Sequence, residues 1–310
     1  ENILEVKGLK KYFEIRKGFL NKIVGYNKSV NDVEFTIKKG ETVGLVGESG
    51  SGKTTLGRCI VRLYDSTAGS IKFNVNGKMT ELTNLSTKEM KKIRKNFQML
   101  FQDVYSSLDT RMKISKIVTE PLDIHNIGTR KDRIDRAKEL MLKVGLSDAD
   151  LEKYPHQFSG GQRQRIGITR ALSINPEFII CDEPVSALDV SVQAQILNLL
   201  VDLKNEFNLS YLFIAHDLSV VKYISDKIIV MYLGKILEIA SSSDIYESPQ
   251  HPYTEALLAA VSKNEAGSKR DILLKGNIPD PSNPPSGCVL HPRCSYAQDE
   301  CMKNKPEVIP

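Results

Sequence analysis

The stretch Gly47-Glu-Ser-Gly-Ser-Gly-Lys-Thr54 constrains this 310-residue chain more than any other, because it matches G-x-x-x-x-G-K-[ST] at every position. Such a loop works only between a strand and a helix. The apolar run Thr42 to Val46 before it and the helix-compatible segment Thr55 to Arg62 after it supply that context. Glycines let successive backbone N–H groups turn inward on an anion, and the following helix adds the positive end of its dipole. Lys53 is placed to neutralise β- and γ-phosphates, and the Thr54 hydroxyl to complete the shell of a Mg²⁺ ion. Glu48, Ser49, Gly50, Ser51 and Gly52, with Thr55 behind them, form the rest of the cradle. The chain is therefore expected to be α/β and to bind a nucleoside triphosphate.

A hydrophobic content of 41% and a charged content of 26% suit a water-exposed globular protein with one large core or a core plus an appendage. The net charge of +5 is mild. The basic run Lys88 to Lys95 could suggest nucleic acid or an anionic membrane, but Ser86 and Glu89 have the spacing of a capping box, which makes it a solvated helix face. No apolar run approaches the ~20 residues needed to span a bilayer. Phe178 to Cys181, Tyr211 to Ala215 and Ile228 to Leu233 are short and β-rich, as buried strands of a parallel sheet are. The start carries no signal-peptide pattern, so any membrane role is expected to be peripheral. Five cysteines without an export signal argue for free thiols or metal ligation over a disulfide framework.

Residues 1 to about 103 read as an antiparallel β-layer leading into the phosphate-loop unit, with Val30 to Ile37 alternating as a half-exposed strand should. The basic, glycine-containing stretch between Phe13 and Lys28 reads as an exposed loop. From about 104 to 165 the pattern is helical: Ile114 to His125, Arg130 to Val144, and a short helix near Asp148 to Lys153. Strand–helix alternation returns over about 166–240 and predicts a mixed sheet with right-handed crossovers. A short helix, Tyr253 to Val261, a polar linker and the Pro-rich segment Ile278 to Pro285 follow, the last unable to form a regular element.

Two further constellations narrow the chemistry. Phe178-Ile-Ile-Cys-Asp182-Glu183 is an apolar strand ending in two carboxylates; the first can hold Mg²⁺ through water and the second can orient or deprotonate an attacking water. Phe158-Ser-Gly-Gly-Gln-Arg-Gln-Arg165 places a serine and two glycines at the start of a helix, Gln162 to Ser173, and so offers a second anion site. Two phosphate-binding helix termini in one chain make sense if each completes the other's site in a dimer.

With these residues the chain resembles an ATP-binding-cassette (ABC) ATPase over residues 1–262. The resemblance implies a P-loop, RecA-like core with an antiparallel β-layer and a helical subdomain at about 104–165, followed by a small Cys-containing extension, 263–310. It gives Gly47 to Thr54 as Walker A, Ser159, Gly160, Gly161 and Gln162 as the signature, and Asp182 with Glu183 as Walker B and the catalytic carboxylate. By the same resemblance Phe13 stacks on adenine, with Tyr12 as the fallback. Gln102 senses Mg²⁺ and the transporter, Ser186 to Asp189 link the two sites, and His216 contacts the γ-phosphate. Tyr154 to Gly161, Ser248 to Thr254 and Pro284 to Cys288 are similar to the ATPases of dipeptide, oligopeptide and nickel importers. Phe101 to Leu108 and Ser191 to Asn198 resemble the F-type partner of that family, although Val104 and Asp109 depart from its Pro and Asn.

What this implies is ATP-driven dimer closure that powers peptide import from the cytoplasmic face of the membrane. The expected partners are a second homologous ATPase (heterodimer, or homodimer in isolation), two permease subunits and an extracellular solute-binding protein, with no nucleic acid. Nickel import, or a soluble ABC ATPase acting on nucleic acid or ribosomes, is the alternative. Cys288, Cys294 and Cys301 are spaced unlike zinc-ribbon or ferredoxin motifs. Similar tails in the family carry an iron–sulfur cluster, so a [4Fe–4S] cluster is expected there, with Zn²⁺ or free thiols as alternatives. The fourth ligand would be His291, an outside group or a cysteine beyond residue 310. Cys59 and Cys181 read as buried apolar residues.

Overall fold

In the computed structural model, which describes residues 1–19, 21–262, 274–304 and 306, strand and helix follow the order the apolar runs foretell. The first elements are β1 (Asn2–Lys17), β2 (Lys22–Lys38), β3 (Thr42–Val46), α1 (Lys53–Ile60), β4 (Ala68–Val75), β5 (Lys78–Glu81), α2 (Thr87–Ile93) and β6 (Phe97–Leu100). Helices α3 (Val104–Ser107), α4 (Ile114–Ile124), α5 (Arg130–Lys143) and α6 (Gly160–Leu172) come next. Alternation then resumes with β7 (Phe178–Asp182), α7 (Val190–Phe207), β8 (Ser210–Ala215), α8 (Leu218–Ile224), β9 (Lys227–Tyr232) and β10 (Lys235–Ser241). Helices α9 (Ser242–Glu247), α10 (Pro252–Ser262) and α11 (Asp299–Lys303) end the described chain.

The chain divides into two compact units. One comprises Leu4–Thr36, Val43–Lys72 and Ala215–Pro310. Here β3, with all five residues buried, pairs in parallel with β9, from Val43 opposite Lys227 to Val46 opposite Val230. The tight turn Leu233–Gly234, both residues at positive φ, then folds β10 back antiparallel on β9. In the β-layer β1 lies between β2 and β4. The strands β1 and β2 run much further than the sequence suggests. Their pattern continues through Ile15 and from Ile23 to Tyr26, so the expected loop between Phe13 and Lys28 is the outer half of a hairpin. Gly18 and Asn21, both at positive φ, form its turn, and the Asn21 N–H bonds the Gly18 carbonyl at 3.1 Å. Exposure of Ile23, Val24 and Tyr26 shows that this part is held by strand pairing rather than by a core. The Pro-rich segment near 278–285 forms no helix or strand, as expected. The linker after 262 falls largely at 263–273, outside the described residues.

The other unit comprises Glu1–Ile3, Ile37–Thr42 and Phe73–Ile214. Strands β6, β7 and β8 are parallel and nearly wholly buried, which is why their sequences are unbroken apolar runs. Phe73 packs edge-on against Phe97 at 5.1 Å and lies 6.1 Å from Phe178. The capping box before α2 is present: the Ser86 hydroxyl accepts from Glu89 N–H, and the Glu89 carboxylate accepts from Ser86 N–H at 2.9 Å. The stretch expected to be helical carries α3 to α6, with α4 packed on α5 and α6. Thr129 and Ser147 cap its later turns with Asp132 and Asp150.

Truncating Phe73 to Ala removes a ring common to both aromatic contacts. It is expected to cost about 3–5 kcal/mol in urea unfolding of the whole chain, where a loss under about 1 kcal/mol would show that the cluster does not anchor this unit.

Candidate active site

In the first unit the phosphate loop leaves β3 and enters α1 under tight steric control. Gly47 has φ 153° and Gly52 φ 103°. A Cβ on Gly47 would lie 2.0 Å from the Met231 carbonyl oxygen, and one on Gly52 would lie 2.0 Å from that of Ser29. Both positions require glycine. Gly52 caps α1 in a left-handed conformation, and the first turn of α1 carries no acidic side chain to oppose an anion. Lys53, only 5% exposed, directs its ammonium back over the loop, donating to the Gly47 carbonyl at 2.7 Å and the Glu48 carbonyl at 3.0 Å. Ser51 is buried, Thr54 and Thr55 are half-buried, and Ser49 and Gly50 are exposed at the tip. The Glu48 N–H donates to the Tyr253 hydroxyl at 2.9 Å, a tether from α10 that sequence reasoning did not find.

The same unit holds Phe13 and His216. Phe13 is half-buried on β1 and meets the edge of Tyr64 at 5.6 Å, with the Lys11 ammonium 4.9 Å over its ring. Tyr12, the fallback for adenine, donates its hydroxyl to Asn31 Oδ1 at 2.7 Å. His216 is exposed directly after β8.

In the second unit, fully buried β7 ends at Asp182, itself fully buried, and Glu183 follows with φ 46°. A non-glycine residue in that region stores strain of about 1–3 kcal/mol and is kept only where the surroundings impose it. Here the Glu183 N–H donates to the Ile214 carbonyl at 2.9 Å, and its own carbonyl accepts from Ser186 N–H and Oγ at 3.3 and 3.1 Å. The turn aims the carboxylate at Gln102, whose Nε2 donates to Oε2 at 2.9 Å. Two residues 81 apart in sequence, each singled out from its own motif, thus touch. They line one cavity of about 320 Å³ together with Gly160, Arg163, Ser186 and Leu188.

The signature helix starts two residues earlier than expected, at Gly160. The cause is a capping box closed by Ser159 and Gln162: the serine hydroxyl accepts from Gln162 N–H, and Gln162 Oε1 accepts from Ser159 N–H at 2.9 Å. Gly160 stands exposed and Gly161 half-exposed at the helix tip. A Cβ on Gly161 would come 2.6 Å from Val192 Cγ1, so α7 can approach only a bare backbone. Asp189 is exposed before α7, and its side chain does not cap that helix.

The cysteines of the extension form a separate group. Gly287 at φ 64° lets residue 288 lie against residue 301, and the Cys288 N–H donates to the Cys301 carbonyl at 2.8 Å. Cys288, Cys294 and Cys301 are half-buried free thiols, and burial raises the Cys294 thiol pKa. His291 Nδ1 is engaged with the Cys288 carbonyl at 2.9 Å. Among the described residues no group of three or more His, Cys, Asp or Glu is placed to hold a metal ion. The expected [4Fe–4S] or Zn²⁺ site therefore finds no support among the described residues. Cys59 and Cys181 are buried as expected, and burial pushes the Cys59 thiol up to about 11.

Comparison with known proteins follows these motifs. The family model described as ABC transporter matches residues 30–186, and the model for the oligopeptide/dipeptide transporter C-terminal region matches 237–301. The chain belongs to the ABC transporter family. It is 52% identical over 99% of its length, and 93% of the relative's, to the oligopeptide transport ATP-binding protein AppF of Bacillus subtilis (strain 168). The dimeric ATP-binding cassette MJ0796, bound to ADP and Pi in a post-hydrolysis state, is 28% identical. It aligns with a TM-score of 0.66, covering 77% of this chain and 98% of that one. CbiO1 from Clostridium perfringens, 22% identical with a TM-score of 0.67 over 85% of this chain and 98% of that one, shares the fold. This ABC protein is an ATP-hydrolysing enzyme. No described helix is long and apolar enough to cross a membrane.

Substituting Gly47 by Ala sets a methyl group against the Met231 carbonyl and should weaken equilibrium ATP binding by about tenfold or more, equivalent to about 1.4 kcal/mol; unchanged affinity would mean that the loop does not cradle the phosphates. Brief alkylation followed by peptide mass spectrometry should label Cys288 and Cys301 well before Cys59, and equal rates would contradict the burial described.

Proposed function

We propose that this ABC ATPase supplies the energy for import of oligopeptides or dipeptides through a membrane permease. The observation that carries the reading is the strained Glu183, held with its carboxylate on Gln102, in a chain whose C-terminal region matches that of oligopeptide/dipeptide transporters. The name of the Bacillus subtilis relative supports peptide over nickel, and no observation favours nucleic acid or ribosomes.

In this reading the loop from Gly47 to Thr54 receives the triphosphate and Phe13 stacks on adenine. Base–aromatic stacking contributes about 1–3 kcal/mol. Lys53 exchanges carbonyl oxygens for β- and γ-phosphate oxygens of higher charge. Thr54, Asp182 and Gln102 are the residues that would hold Mg²⁺, oxygen donors of the kind that ion takes. The metal neutralises the phosphates when bound. Glu183 orients the attacking water, and His216 donates to the γ-phosphate as charge develops on it. Gln102 ties the base to the segment before α3, where a permease helix would press, so that a shift there alters how Glu183 is held.

The signature residues Ser159 to Gln162 act on a nucleotide held by a second ATPase subunit, and Asp189 faces that neighbour. A second homologous ATPase (a different chain, or a second copy in isolation), two permease subunits and an external solute-binding protein complete the assembly, with this chain at the cytoplasmic face. No step passes through the cysteines.

Replacing Glu183 by Gln keeps the hydrogen-bonding shape and removes the base. ATP binding should stay within about twofold while turnover falls by about 10²–10⁴. Turnover at the unsubstituted rate would remove Glu183 from the mechanism.

A further inference from the structure

Glu48 is the second residue of the phosphate loop, and its side chain is claimed by a residue 245 positions away. Arg293, in the Cys-bearing extension, donates through both terminal nitrogens to the two carboxylate oxygens, at 2.6 and 3.0 Å. This is the forked geometry that guanidinium makes with carboxylate and that lysine cannot reproduce. Arg293 is only 6% exposed, and its guanidinium carbon lies 5.7 Å from the centre of the Tyr232 ring. Tyr232 in turn packs at 4.8 Å on Tyr253, whose hydroxyl accepts the Glu48 N–H. The backbone of Arg293 is fixed as well: its N–H donates to Leu290, its carbonyl accepts from Lys275, and neighbouring Val289 and Leu290 are buried.

Glu48 is thereby restrained at its N–H by Tyr253, at its carbonyl by Lys53 and at its carboxylate by Arg293. A carboxylate inside a loop that must accept a triphosphate would repel it, and the repulsion is strong where water is partly excluded. We infer that Arg293 is a positioning residue for the phosphate loop, fixing the Glu48 side chain and cancelling its charge so that the loop can take ATP. The inference rests on Gly47 to Thr54 being the ATP phosphate site. It assigns the C-terminal extension a part in nucleotide affinity that needs no metal.

The test uses the full chain and Mg·ATP on R293Q, E48Q and the double variant, with equilibrium binding measured on the chain and steady-state turnover on the chain assembled with its partner ATPase. R293Q should raise both Kd and KM for ATP by about tenfold and leave kcat within about twofold, the pattern of lost ground-state binding. The penalty should shrink as salt is added. The double variant, with no unpaired carboxylate, should return to within about threefold of the unsubstituted Kd, which a purely structural role for Arg293 would not allow. Unchanged ATP affinity in R293Q, or a double variant no better than R293Q, overturns the inference. Should R293Q fail to fold, R293K carries the test: charge without the fork predicts a smaller rise in KM at constant kcat, and a fall in kcat at constant KM overturns it. Lys53→Ala is the control for the site itself. If that variant binds ATP normally, the phosphate-loop assignment fails, whatever Arg293 does.

Discussion

Two backbone carbonyls, of Met231 on β9 and Ser29 on β2, stand where a side chain on Gly47 or Gly52 would have to go, and the phosphate loop takes its shape from that exclusion. Because neither glycine can carry a Cβ, the loop stays close to its neighbours and leads into α1 with Gly52 left-handed. Lys53 is then buried with its ammonium folded onto the loop's own carbonyls. Such a cation is already desolvated and held in one direction. Packing against two strands thus fixes the path of the loop and the place of its lysine.

The second unit uses strain where the first uses exclusion. Glu183 sits in a backbone region that non-glycine residues avoid, and bonds to Ile214 and Ser186 keep it there. A carboxylate presented this way cannot relax into an ordinary strand end. Its hydrogen bond to Gln102 joins it to the short segment ahead of α3. At the signature the same economy appears in another form: Ser159 and Gln162 satisfy each other, and α7 comes close enough to require a bare backbone at Gly161.

Local pattern made much of this legible. The phosphate loop, the buried parallel strands, the acidic pair and the Ser86–Glu89 capping box are set by neighbours within a few residues, and such signals survive in a linear string. The hairpin beyond Phe13 is not legible in the same way, because glycine and lysine there resemble loop composition, whereas strand pairing between β1 and β2 decides the outcome. The Gln102–Glu183 bond and the Arg293 tether join residues 81 and 245 apart, and nothing in either segment alone announces its partner. The cysteines are a different case: their resemblance to cluster-bearing tails is plain, but ligand convergence is a three-dimensional property, and no group of three or more ligands is placed for a metal among the described residues.

The central claim is that the chain binds ATP with its own phosphate loop but hydrolyses it only when a signature helix closes on that nucleotide from a second subunit. The most direct measurement is ATP affinity and turnover, on the same sample with its partner ATPase, of paired signature variants in which both subunits lack the serine and first glycine, here Ser159 and Gly160. The account predicts affinity within about twofold of the unsubstituted assembly and turnover reduced to background. Turnover at the full rate would contradict it.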